Sequence, residues 1–229
     1  MSNDLTIIYY TSNFAPKSFL EKIRGNLLKV KSSYPLISVS QRPIDFGINI
    51  CVGNIGRSTY NIYKQILIGA KKAKTEYIAT AEDDVLYSKE HFDYRPLGDI
   101  FAYDTAKWSI YSWIKPPVFT YKENRKTMTS LIVRKDILVK TLEQRFNKYP
   151  DKDNYPQNIW GEPGRYEEHL GIDSVKVGTY LASVPSIVFN TENSLQFSVL
   201  GKRKKMGIMK AYNIPIWGKA EDILKVYID

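Results

Sequence analysis

The sequence predicts an α/β protein, one domain built on a mostly parallel central sheet flanked by helices. Three observations carry this. First, β-rich and helix-periodic stretches alternate from Leu5 to Ala81, the pattern that places parallel strands under crossover helices. Second, the strand-like runs end in polar or glycine-rich turns, at Thr11-Ser12-Asn13, at 53–58 and at Glu82-Asp83-Asp84. Third, 229 residues with 43% hydrophobic and 25% charged side chains have the length and balance of a core-forming globular chain.

The elements follow in order. Leu5–Thr11 is β-branched and aromatic and reads as the first strand. Phe19, Leu20, Ile23, Leu27 and Val30 recur at three- and four-residue steps, an amphipathic helix starting near Pro16. Leu36–Ser40 and 48–52 are the second and third strands. The loop Gly53-Asn54-Ile55-Gly56-Arg57-Ser58 leads into a helix with an apolar stripe of Tyr60, Tyr63, Ile66, Leu67, Ala70 and Ala73. Tyr77–Ala81 is the fourth strand and delivers the three acidic residues. The second half is more irregular. Residues 100–103, 108–114 and 118–121 read as strands, and 134–149 as an amphipathic helix carrying Leu138, Leu142, Phe146 and Tyr149. A loop holding Pro150, Pro156 and Pro163 follows, then short β runs at 176–181 and 186–189. The basic cluster Lys202-Arg203-Lys204-Lys205 comes next, and a short helix at 219–227 closes the chain. No repeat, low-complexity tract or long linker interrupts it.

Composition narrows the function. No apolar run approaches the length of a membrane span. The start Met1-Ser2-Asn3-Asp4 lacks a basic flank and a small-residue cleavage site, so a cytoplasmic location is expected. The single cysteine, Cys51, excludes an intrachain disulfide framework and is expected as inert core. Two histidines exclude a multi-histidine zinc site. A net charge of +9 and a pI near 9.3 favour a polyanionic partner: nucleic acid, an anionic membrane face or a nucleotide. Seventeen tyrosines suit sugars and bases, since rings stack while hydroxyls bond.

The acidic triplet organises the rest. Three adjacent carboxylates repel one another, and burial raises the cost of ionising them. Glu82 and Asp84 are two apart and share a side of an extended chain. Oxygen ligands with room for water and phosphate suit Mg²⁺ or Mn²⁺. An isolated acidic triplet is more often a surface turn. In parallel sheets, however, ligands bind beyond the carboxyl ends of the strands. Three polar turns converging on that edge make a ligand site there.

At this point the chain resembles the GT-A superfamily of nucleotide-sugar glycosyltransferases. Glu82-Asp83-Asp84 at a strand end looks like that superfamily's DxD-type metal motif; the 52–58 loop and Glu162-Pro163-Gly164-Arg165 are also similar. With His91-Phe92-Asp93-Tyr94-Arg95-Pro96 added, the likeness narrows to bacterial and phage transferases, some of which glycosylate hydroxymethylated pyrimidines of DNA. The resemblance implies a single GT-A-like Rossmann-type domain. About 1–90 forms its nucleotide-sugar-binding half, and about 91–229 an irregular acceptor-side half with a C-terminal basic loop.

It also implies roles. The donor is a UDP-type sugar, and Mn²⁺ or Mg²⁺ is held by Asp84 with Glu82 or Asp83 close by. The first acidic residues of the motif alternatively contact the nucleotide. Asn190 stands where many relatives place a histidine ligand. Tyr10, Thr11, Ser12 and Asn13 are assigned to base and ribose; Gly53, Arg57 and Ser58, with Lys202 and Arg203 of the basic loop, to the phosphates. An inverting mechanism needs a carboxylate base, for which Glu167, Glu168 and Glu162 are the candidates, with His169 adjacent. Trp108, Trp113 and Trp160 are candidates for a sugar or base platform, Trp108 and Trp113 falling on opposite strand faces. The expected acceptor is 5-hydroxymethylpyrimidine in phage DNA. The alternatives are a bacterial surface saccharide or small acceptor, a non-catalytic nucleic-acid-binding domain, and a nucleotidyltransferase. No helix-turn-helix, zinc-finger or RRM signature supports the nucleic-acid-binding domain, and no glycine-rich phosphate loop with a lysine follows the first strand to support the nucleotidyltransferase.

Overall fold

Strand β1 (Leu5–Thr11) is buried along its whole length, as a central strand covered on both faces must be. A computed structural model describes residues 4–194 and 206–228. In it β1 pairs in parallel with β2 (Leu36–Ser40) on one side and β4 (Tyr77–Ala81) on the other, and β2 pairs in parallel with β3 (Ile48–Cys51). The chain thus builds outward from β1 to β3. It then returns through helix α2 (Thr59–Lys72) to β4 on the opposite side of β1. That reversal is a topological switch point, where the crossovers leave a crevice at the strand ends.

The alternation of β1 decides which helix covers which face. Ile8 and Tyr10 meet Tyr60, Tyr63, Ile66, Leu67 and Ala70 of α2. Leu5, Ile7 and Tyr9 meet Leu27 of helix α1 (Lys17–Val30). The sheet continues past β4 with β9 (Leu131–Arg134), antiparallel to both its neighbours, then β6 (Ile100–Asp104) and β10 (Lys176–Tyr180), parallel to each other. The order across these seven strands is β10-β6-β9-β4-β1-β2-β3.

A second, five-stranded sheet runs β12 (Met209–Ala211), β8 (Phe119–Tyr121), β7 (Lys107–Tyr111), β11 (Ser186–Asn190), β5 (Val85–Leu86). It packs against the other flank of α1. Phe19 and Ile23 join Ile110, Phe119, Ile187 and Phe189 there, with Ile223 and Leu224 of helix α3 (Ala220–Tyr227) closing the layer. A two-stranded ribbon of 213–214 and 218–219 precedes α3.

Several expectations change. The stretch predicted as strand 108–114 ends at Tyr111 and begins at Lys107, while 131–134, of which only Arg134 is assigned above, as the start of a helix, is a strand. The following helix spans Lys135–Lys148. Cys51 is exposed at the end of edge strand β3, because the apolar run it belongs to has no neighbour on its outer side. Trp160 is core: at 2% exposure it stacks on Tyr60 with ring centres 5.5 Å apart. No helix among the described residues is long and apolar enough to cross a membrane.

Candidate active site

The carboxyl ends of β1 and β4 meet because the two strands are paired in register, Tyr9 against Ala81. The next residues are therefore neighbours. The Tyr10 hydroxyl donates to Glu82 Oε1, and the Thr11 hydroxyl donates to Asp83 Oδ2. The triplet is held from two further directions. The Tyr87 hydroxyl accepts from the Glu82 amide at 3.0 Å while donating to the Thr129 carbonyl at 2.7 Å, and the Phe189 amide donates to the Asp84 carbonyl at 2.8 Å. Burial pushes the Asp83 carboxyl up from its ordinary range, opposed by the Thr11 hydrogen bond and by Arg24 and Arg57. Burial and then the charge of Glu82 hold the Tyr10 phenol well above its usual value, so it remains the donor of that pair.

Across the crevice stands the start of α2. Ser58 is its N-cap and accepts from the Asn61 amide at 3.1 Å. The Gln41 side chain, first after β2, clamps Gly56 from both sides: its amide donates to the Gly56 carbonyl at 2.8 Å, and its oxygen accepts from the Gly56 amide at 3.1 Å. Asn61 donates to the carbonyls of Ile55 (2.7 Å) and Gly56 (3.0 Å). Gln65, one turn on, joins the ends of β1 and β2 by donating to Thr11 O (3.0 Å) and Val39 O (2.8 Å). The Arg57 guanidinium lies over the Phe14 ring at 3.9 Å and donates to the Asn193 carbonyl.

One pocket is lined by all of these walls. Tyr10, Thr11, Ser12, Arg57, Ser58, Glu82, Asp83 and Asp84 line it together. Gln41, Asn61, Gln65, Thr191, Asn193 and Ser194 line it too, and sequence reasoning passed over them. A signal existed for two: Asn61 and Gln65 are polar residues at i and i+4, both buried, beside the apolar stripe of α2. Asn13 and Gly53 lie outside the lining. Asn13 shapes the site from behind, its oxygen accepting from the amides of Gln41 and Arg42, each at 2.9 Å. Gly53, at φ 75°, makes the turn after β3.

The remaining assignments scatter. Asn190 is buried in β11 and outside the lining, its amide turned to the carbonyls of Ile110 and Val188 at 3.4 and 3.5 Å. Lys202 and Arg203 lie outside the described residues. Glu167 is enclosed at 3% exposure beside the fully buried Arg145, with Oε1 2.5 Å from the guanidinium; its Oε2 accepts from the amides of Gly164 (2.7 Å) and Tyr166 (3.1 Å). Both its oxygens thus hold the 161–167 turn in place, which turns this carboxylate away from the expected role of base. Glu168 is exposed and accepts from Ser174 at 3.4 Å. Glu162 lines a second cavity. In the stretch 91–96, His91 pairs with Asp104 at 2.9 Å in the interior and Arg95 with Asp4 at 2.8 Å, which makes it a structural tie.

Among the described residues no group of three or more His, Cys, Asp or Glu side chains is arranged to hold a metal by itself. The donor set at the pocket, with Glu82 and Asp83 already bonded to hydroxyls and Asp84 beside them, suits a cation that keeps waters and is completed by phosphate oxygens.

No known protein family matches the sequence, and no curated protein matches it. Solved structures of similar trace include a glycosyltransferase involved in glycosylation of the major capsid of PBCV-1 (TM-score 0.48, 11% identity, 80% of this chain and 92% of that one). S. aureus TarS 1–349 in complex with UDP-GlcNAc is another (0.48, 11%, 86% and 61%), and a third is the bifunctional IspDF of Campylobacter jejuni (0.40, 10%, 78% and 49%).

Proposed function

We propose that the chain is a metal-dependent glycosyltransferase that moves a sugar from a UDP-type nucleotide-sugar to an acceptor hydroxyl. The observation that supports this best is the pairing of opposites in one pocket. Three carboxylates at the end of β4 face Arg57 and the N-terminus of the 14-residue helix α2. Carboxylates alone suit a cation, and a helix N-terminus alone suits an anion. A metal–diphosphate uses both.

In this reading Arg57 and the first-turn amides of α2 take diphosphate oxygens. Ser12 and Gln41, beyond β1 and β2, border the nucleoside, and Tyr10 and Thr11 fix the carboxylates rather than touching donor. A Mn²⁺ or Mg²⁺ ion held by Asp84 with Glu82 would supply positive charge to the departing diphosphate. Glu162, the carboxylate of the three that lines a cavity, is the candidate base for the acceptor hydroxyl. The net charge of +9 favours a polyanionic acceptor, and 5-hydroxymethylpyrimidine in DNA is the specific one to test.

The test is donor turnover. The protein is incubated with Mn²⁺ and a panel of nucleotide-sugars, with hydroxymethylated duplex DNA or oligosaccharides as acceptor. Release of nucleoside diphosphate is expected to fall by about 100-fold or more in Asp84→Asn, as for loss of a transition-state charge partner. Donor hydrolysis absent from the wild type, or unchanged in Asp84→Asn, would refute the reading.

A further inference from the structure

A second cavity, of about 290 Å³, has a lining of which only Glu162 has been given a role above. We propose that it is an anion site that takes the phosphate of a sugar-phosphate unit, an acceptor class that competes with the DNA acceptor named above. Its floor is Ser109 of β7 and Thr120 of β8. Gly207 seals one side, crossing β8 so closely that a Cβ there would sit 2.1 Å from the Tyr121 carbonyl oxygen. The rim is cationic: Lys122, Arg125, Lys126 and Arg165. Among the described residues none of these four lies within ion-pair distance of a carboxylate. One acidic side chain, Glu162, shares the cavity.

Like charges gathered in a concave surface repel one another, and a bound anion relieves the repulsion. Beneath the rim, the buried Lys107 amine donates to Thr127 Oγ1 and Ser130 Oγ, both at 2.7 Å, and so fixes the loop that carries Arg125. Arg125 itself is steadied by a 2.5 Å bond to Ser109 Oγ. The fork is thereby presented already oriented, which is the geometry that binds phosphate oxygens in pairs.

Glu162 decides between kinds of anion. A bare phosphate would meet its carboxylate as a repulsion. A ligand with an anionic end and a hydroxyl end satisfies both, phosphate on Arg125 and Lys122, hydroxyl donating to Glu162. That is the chemistry of a phosphorylated sugar unit. The role of Glu162 here rests on the glycosyltransferase reading; the anion site does not.

The experiment is calorimetric titration of the wild-type chain, without donor or metal, with glucose, glucose 6-phosphate and a short single-stranded oligonucleotide. Glucose 6-phosphate is expected to bind and glucose not. Arg125→Gln combined with the exposed Lys122→Gln should weaken glucose 6-phosphate by about tenfold or more, the loss of charge-assisted hydrogen bonds. Its melting temperature should stay that of wild type. Inorganic phosphate, titrated alongside, should bind Glu162→Gln more tightly than wild type, because the repulsion is gone, and equal affinity would remove Glu162 from the site. Equal binding of glucose and glucose 6-phosphate overturns the proposal, as does wild-type affinity in the double variant. Binding of the oligonucleotide alone, lost in the double variant, also overturns it and assigns the cations to a nucleic-acid backbone. Failure of the donor assay with these titrations intact removes the transferase reading and leaves the anion site standing; the converse removes the anion site alone.

Discussion

Replacing Glu167 by glutamine separates two roles that a carboxylate can hold. The wild-type side chain is 3% exposed and its partner Arg145 is fully buried, with rings of Tyr63 and Trp160 5.3 and 5.5 Å from the guanidinium carbon. Arg145 also donates to the Gly161 carbonyl at 2.7 Å. Glutamine keeps the shape but removes the negative charge, leaving a guanidinium in a nonaqueous site without a counter-charge. It also replaces one of the carboxylate oxygens, which meet two amides and the guanidinium, with an amide NH₂ that can only donate. Breaking one side of a buried pair costs about 3–5 kcal/mol. For a chain of this length each kcal/mol shifts the melting temperature by about 2–4 °C, so the variant should melt roughly 6–20 °C lower. Thermal unfolding followed by circular dichroism measures it, with donor turnover assayed on the folded fraction. A variant that melts like wild type but has lost about 100-fold or more of its transfer rate would refute the structural role and make Glu167 the base.

Three other outcomes are expected. Gln65→Leu deletes both bonds joining the β1 and β2 ends and should cost about 1–3 kcal/mol in urea unfolding; an unchanged midpoint would refute the bridge. Arg57→Lys keeps the charge but loses the planar stack on Phe14, and donor binding by titration should weaken by about tenfold, whereas wild-type affinity would show the stack to be dispensable. Burial holds the Lys107 ammonium well below the ordinary lysine range, so the unfolded chain binds a proton that the folded one releases, and stability rises with pH toward the unfolded value of about 10.4. The melting-temperature gain of Lys107→Met over wild type should therefore be largest at low pH and shrink as pH approaches 10; a gain independent of pH would contradict the depressed value.

What the sequence determined by itself is the local part. β1, β2 and β4 lie where their β-branched runs lie, to the residue, and α1 begins beside Pro16, because such elements are set by side chains within a few positions of one another. The site was legible for the same reason. In a parallel sheet the residues just past each strand share one edge, so Tyr10–Ser12, Arg57–Ser58 and Glu82–Asp84 could be gathered without knowing a distance. Tertiary structure decided whatever depends on a partner far along the chain. Glu162 and Glu167 are five positions apart and equally acidic, yet Arg145, 22 residues before Glu167, takes that carboxylate into the core while Glu162 faces a cavity. The antiparallel β9, the second sheet and the cationic cavity between its strands and the 161–165 turn are likewise invisible to periodicity, since a strand's pattern records that one face is covered and says nothing of which strand lies beside it.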